Sequence, residues 1–145
     1  MDTGIYKHSM PVQIRFSDID RLNHVNNACY LNFFELGRVH YFNQVLGGVI
    51  NWAESGFVLA RTEIDYIEPL YLNDEIRCYT RVQKLGNKSL VVENTIVRLT
   101  KNGEVVSARG TGVLVAMNYL TNESIVLPEE WRKLISEFEA INLTT

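Results

Sequence analysis

The sequence has few of the residues that staple, kink or break a chain: 145 residues contain two cysteines and three prolines. Cys29 and Cys78 sit in no paired motif, which argues against a disulfide scaffold and against cysteine-rich metal sites, and both read as buried free thiols. His8, His24 and His40 stand sixteen residues apart at each step, a spacing that leads us to expect no metal site. No apolar run approaches the ~20 residues of a membrane-spanning helix. The opening "MDTGIYKHSM" has no basic stretch followed by an apolar one, so a cytoplasmic protein without a membrane partner is expected. Positive charge is scarce as well, with 14 Lys and Arg against 17 Asp and Glu and a net charge of -3. Nothing on such a surface draws nucleic acid, and an anionic ligand has to be met by local cations. There is no G-x-S-x-G elbow and no phosphate-cradling glycine loop.

What is present is an ordinary globular balance, 46% hydrophobic and 21% charged, without repeats or linkers. It fits one domain over residues 1–145 that buries its own core. "PVQIRF" (11–16) alternates, with Val12, Ile14 and Phe16 on one side, and predicts a half-buried strand. Residues 27–48 predict a long helix stopped at Gly47-Gly48. Its arc of Tyr30, Leu31, Phe34, Val39, Tyr41, Phe42, Val45 and Leu46, joined by Cys29, Phe33 and Leu36, implies a helix largely surrounded by other structure. Strands follow at 57–67, 75–85, 89–100 and 104–118. The first sends Val58, Ala60, Thr62, Ile64 and Tyr66 to one side, and Arg61, Glu63 and Asp65 to the other. "GNK" (86–88) and "KNG" (101–103) read as tight hairpins, the second with the positive φ angles of a type I′ turn. Residues 128–141 predict a closing helix with Pro128 at its first turn. The order is strand, buried helix, then antiparallel strands, which is α+β: one sheet curls round one helix, and its unsatisfied edge calls for a second copy.

The chemistry concentrates at "FSDIDRLNHVNNACYLNFFE" (16–35), where a strand hands over to the helix. Asn23, Asn26 and Asn27 suit turns and helix caps. Asp18 and Asp20, two apart in extended chain, are expected to point the same way and to raise one carboxyl pKa by repulsion. The helix start supplies free N–H groups and a positive dipole end. A carboxylate beside such a donor suits hydrolysis or acyl transfer at a carbonyl held between them.

"RFSDIDRLNHVNNACYLNFFELGR", continued by "ARTEIDYIEPLYLNDEI" and "LGNKSLVVENTIV", resembles the hotdog-fold acyl-CoA thioesterases of the 4-hydroxybenzoyl-CoA thioesterase type, in their HVNN-bearing branch. The resemblance covers roughly residues 11–118. It implies a curved antiparallel sheet wrapped around a long helix, homo-oligomers as dimers and often tetramers, active sites at subunit interfaces, and hydrolysis of acyl-CoA. It places the catalytic carboxylate at Asp20 and the carbonyl-polarising N–H at Asn27. His24 either orients Asp20 or the water, or makes a structural hydrogen bond. Lys88 matches the family's basic position for coenzyme phosphates, although Gly86 and Asn87 stand where related members carry arginines. Arg61 and Arg109 are further candidate cations, and Tyr30, with Phe33, Phe34 and Tyr66, suits either an acyl pocket or the core. No cofactor is implied, since coenzyme A is part of the substrate. Glu35 and Arg38, at i and i+3, read as a partly buried ion pair, with Glu35 a second carboxylate as the alternative. An acyl-carrier-protein thioesterase and a non-catalytic acyl-CoA-binding hotdog protein are the competing functions.

Overall fold

β-branched and aromatic residues dominate four long segments of the chain, and short turns fold these segments back on one another. The computed structural model describes residues 3–140; Met1, Asp2 and residues 141–145 lie outside the described residues, and with them Ile141, the last residue of the predicted closing helix. The strands are β1 (Ser9–Val12), β2 (Ser55–Tyr66), β3 (Ile76–Leu85), β4 (Ser89–Thr100), β5 (Gly103–Asn118) and the short β6 (Glu123–Ser124); the helices are α1 (Cys29–Leu46) and α2 (Glu129–Glu139). The sheet is antiparallel in the order β1-β3-β4-β5-β2, with β6 against β5. It curls round α1 as the α+β hotdog reading expects.

Two apolar clusters seat α1. One joins Tyr41, Phe42 and Leu46 to Val82, Leu90 and Trp131. The other joins Tyr30, Phe33 and Phe34 to Val12, Leu70 and Ile96. Between them α1 comes so close to the sheet that a Cβ on Gly37 would lie 2.7 Å from both Cys78 Sγ and Thr80 Oγ1. Of the two cysteines, Cys78 is buried and Cys29 half-buried, and both are free.

The structure departs from the sequence expectations at several places. β1 stops at Val12, and a 3-10 turn at Phe16–Asp18 swings Phe16 out to 83% exposure. A bulge between Leu59 and Arg61 breaks the alternation of β2, so Leu59 shares the inner face with Leu114, and Val58 faces away with Val115. In the β4–β5 hairpin the positive φ falls on Gly103 alone, at 114°, rather than on an Asn-Gly pair. One side of α1 lies open, because Leu31, Leu36 and Val39 are exposed instead of surrounded. The outer edge of β2 pairs with no strand among the described residues.

Candidate active site

The junction is a narrow loop closed on itself. Ile19 bridges to Val25, and the Asn26 N–H donates to the Asp18 carbonyl at 2.8 Å. Val25 donates its N–H to the Leu70 carbonyl at 2.8 Å, which pins the loop to the segment after β2. Asn23 takes the left-handed turn position, with φ 69°. The Asn26 side chain caps the Ala28 N–H at 2.9 Å, and its carbonyl accepts the Cys29 N–H at 2.9 Å. That leaves the Asn27 N–H at the mouth of the helix with no protein acceptor among the described residues. Tyr66 at the end of β2 holds this turn from the other side, its hydroxyl donating to the Asn27 carbonyl at 2.9 Å. Burial raises the Tyr66 pKa and keeps that hydroxyl a donor.

Asp18 and Asp20 are not a repelling pair. Asp18 is buried, and its carboxylate accepts the Arg15 N–H at 2.8 Å and the Arg15 guanidinium at 2.9 Å. Burial alone would push its carboxyl up. The hydrogen bonds and charge of Arg15 outweigh that and hold it below the ordinary carboxylate range. The 3-10 turn ends the extended run that would have aligned the two carboxylates. Asp20 is half-buried and accepts the Leu22 N–H at 2.9 Å, while its own N–H donates to the His24 carbonyl at 3.1 Å. The link to His24 is therefore backbone; the imidazole packs edge-on to Tyr71, ring centroids 6.3 Å apart.

Beside this junction a cleft of about 280 Å³ is lined by His24, Asn27, Tyr30, Tyr66, Ile67 and Pro69, among others. Tyr30 turns its ring edge to Tyr66 at 5.1 Å, whereas Phe33 and Phe34 belong to the core. The expected cations are elsewhere. Lys88 is exposed on the β3–β4 hairpin, next to Ser89, which is level with Val115 on β5, while Tyr66 is level with Ala108. The seven residues of strand between those levels span about 24 Å. Arg61 lies on the outer sheet face, paired with Glu63 and 70% exposed. Arg109 shares that face, in register with Asp65 and Thr95. Glu35 and Arg38 form no ion pair: Glu35 is exposed, and Arg38 is half-buried with its pKa lowered by that burial. His8 and His40, distant in sequence, meet ring to ring at 2.7 Å. Sequence reasoning missed the Tyr66–Asn27 tie; its only signal was the shared parity of Thr62, Ile64 and Tyr66.

The model of the thioesterase-like superfamily matches residues 14–135, a span that contains the junction loop, α1 and strands β2 to β6. The chain belongs to that superfamily. A thioesterase of Thermus thermophilus, solved with coenzyme A and zinc, superposes with a TM-score of 0.82 at 36% identity, covering 95% of this chain and 98% of that one. The long-chain acyl-CoA thioesterase FadM of Escherichia coli strain K12 is 26% identical over 129 residues, 87% of this chain and 95% of that protein. The match to the protein YsmA of Bacillus subtilis strain 168, 30% identical over 81 residues, spans 56% of this chain and about half, 54%, of that relative. Membership places the chain among thioester hydrolases. Among the described residues no helix is long and apolar enough to cross a membrane.

Proposed function

We propose that the protein hydrolyses an acyl-CoA thioester to the free acid and coenzyme A. The observation that carries this reading is the Asn27 N–H, left without a protein acceptor among the described residues at the start of α1, in a residue that lines a cleft and whose carbonyl the Tyr66 hydroxyl holds. A thioester oxygen at that N–H gains hydrogen-bond and dipole stabilisation as it becomes negative. Asp20 bonds to His24 and Leu22 in the junction loop and is not among the residues that line this cleft; in this reading it is the group that attacks the carbonyl or takes a proton from an attacking water. On the water route the C–S bond then breaks, coenzyme A leaves as the thiolate and the acid remains; on the nucleophilic route the same cleavage leaves an acyl–Asp20 anhydride, which a water hydrolyses to the acid and free Asp20. His24 closes the turn behind Asp20, and Tyr30 forms one wall of the cleft.

The phosphates of coenzyme A need cations, and within one chain Lys88 and Arg61 lie far from Asn27. We assign them to the site of a neighbouring copy in a homo-oligomer, a dimer or a dimer of dimers, which the unpaired edge of β2 supports. A cytoplasmic location accords with two free cysteines. The experiment is a thiol-release assay across acetyl-, medium-chain, long-chain and aromatic acyl-CoAs, with acyl-carrier-protein thioesters in parallel. Release from acyl-CoA is the expected result. Tight binding of acyl-CoA without thiol release would instead establish a binding protein, and release from carrier protein alone would move the donor.

A further inference from the structure

We infer that Ser107 of β5, which does not itself line the cleft, is a positioning residue for the reaction: it ties two walls of the cleft together and so fixes the Asn27 N–H beside them. This rests on the thioesterase reading. β5 is irregular at Ser107. Ile96 of β4 is level with Ala108, and the next residue, Val97, is level with Val106. Ser107 is therefore the extra residue of a bulge and has no register partner on β4. A regular strand sends neighbours to opposite faces, but here Ser107 and Ala108 are both buried, at 1% and 0% exposure. The bulge thus brings a hydroxyl into the interior, where it has to find partners.

Those partners belong to the cleft. The Ser107 carbonyl accepts the N–H groups of Ile67 at 2.8 Å and Glu68 at 3.0 Å, and its hydroxyl donates to the Glu68 carbonyl at 2.7 Å. Three bonds to two successive residues fix the chain just where β2 ends. Ile67 and Glu68 line the cleft from that segment, and Tyr30 lines it from the first turn of α1. The Tyr30 hydroxyl bonds to the Ser107 side chain and to the Leu70 backbone. Because the Ser107 proton is committed to Glu68, Tyr30 is the donor to the Ser107 oxygen. Burial raises the Tyr30 pKa by more than the bonds to Ser107 and Leu70 lower it, so the phenol keeps its proton.

The clamp sits between the two points where this segment grips the junction. Just before the clamped pair, the Tyr66 hydroxyl donates to the Asn27 carbonyl; just after it, the Leu70 carbonyl accepts the Val25 N–H. Ser107 holds the middle of the segment, and its two ends hold the turn that carries Asn27. Without the hydroxyl, the Glu68 carbonyl and the Tyr30 hydroxyl each lose a buried partner, and the middle is freed. A donor to a developing oxyanion works because it is already in place when the charge appears. A misplacement of about 1 Å is enough to cost about 10²-fold in rate.

Kinetics and amide exchange test this. Ser107→Ala removes the hydroxyl and is expected to lower kcat about tenfold with KM little changed. Ser107→Cys keeps nearly the same volume with a weak donor and gives the same loss, so a folding defect peculiar to one variant does not decide the result. Tyr41→Phe, eleven residues beyond Tyr30 along α1, is the control for lost stability and leaves kcat unchanged. In a Tyr66→Phe background Ser107→Ala costs only about threefold more, because one tie through which it acts is already gone. By NMR, the Val25 amide of Ser107→Ala exchanges about tenfold faster relative to the paired amides of β3 and β4. An unaltered kcat, losses that multiply in full in the double variant, or a Val25 amide that exchanges no faster overturns the inference. A wild-type protein that releases thiol from no acyl-CoA sinks the thioesterase reading itself, whereas an active wild type matched by its Ser107 variants sinks only the positioning role.

Discussion

The hydroxyl of Tyr66 donates to the carbonyl of Asn27 at 2.9 Å, so the last residue of β2 holds the first turn of α1. The acceptor is the carbonyl of a residue that lines the cleft and whose N–H has no protein acceptor among the described residues, and the bond helps to fix the local backbone there. Tyr66→Phe keeps the ring and removes the tie. We expect kcat to fall about tenfold, less than the 10²–10³ that follows loss of an oxyanion donor itself, with KM little changed. Steady-state kinetics decide it; an unaltered kcat means the turn is held by other contacts.

In the proposed reaction Asp20 carries the chemistry, whereas Asp18 is buried on Arg15. Asp20→Asn lowers activity by about 10²–10⁴-fold at unchanged melting temperature. Asp18→Asn gives up the charge that Arg15 binds at 2.9 Å in a buried site, and costs about 1–3 kcal/mol of stability while leaving a folded, active protein in the cold. The opposite pattern in paired activity and melting measurements reverses the assignment.

Acid weakens the fold through His8. Burial, then the charges of His40 and Arg77, lower its pKa from 6.5 to about 4, and the edge of the Tyr41 ring packs on it. The unfolded chain therefore binds the proton first. The contribution is whole above about pH 6.5, is lost progressively down to about pH 4, and is on the order of 2 kcal/mol once solvent screening is allowed for. Urea unfolding across that range shows the slope, and His8→Phe flattens it. An equal slope in wild type and variant would locate the effect elsewhere.

Alkali acts through Tyr41. Its hydroxyl donates to Glu139, whose carboxylate also accepts the Val82 N–H at 3.0 Å beside the bulge in β3. Burial and the Glu139 charge raise the tyrosine pKa well above 10. Stability is full below about pH 10 and is lost as pH climbs toward the raised value. Tyr41→Phe is expected to cost about 1–3 kcal/mol at neutral pH and to reduce the alkaline loss, both read from denaturant titrations.

Gly37 is the point of closest approach between α1 and the sheet. Its alanine variant pushes a methyl to 2.7 Å from Cys78 Sγ and Thr80 Oγ1, and we expect about 1–3 kcal/mol of destabilisation. A melting temperature equal to wild type shows that helix and sheet separate freely there.

Much of the architecture was legible in its β-branched composition and turn residues. β4 spans the 89–100 that this composition marked, and β3, β5 and α2 lie within one or two residues of expectation. The junction was readable for a similar reason: the Asn26 cap, the left-handed Asn23 and the Asp20–Leu22 contact each span three residues or fewer. The failures have two origins. Asp18 binds Arg15, and that local bond bends the chain out of the strand that "PVQIRF" suggested. A one-residue bulge in β2 turns Val58 away, although the segment's pattern favours an unbroken strand.

The amino-acid order by itself marked the main elements and the polar turn before α1, which follow from interactions between near neighbours, and carried the motifs that resemble the family. Tertiary structure alone decided that Tyr66 holds Asn27, that His8 meets His40, and that Arg38 forms no ion pair among the described residues. Those contacts join residues far apart, or fail to form between close ones. Their partners are chosen by where the sheet bulges and how far it curls, and no local preference records that.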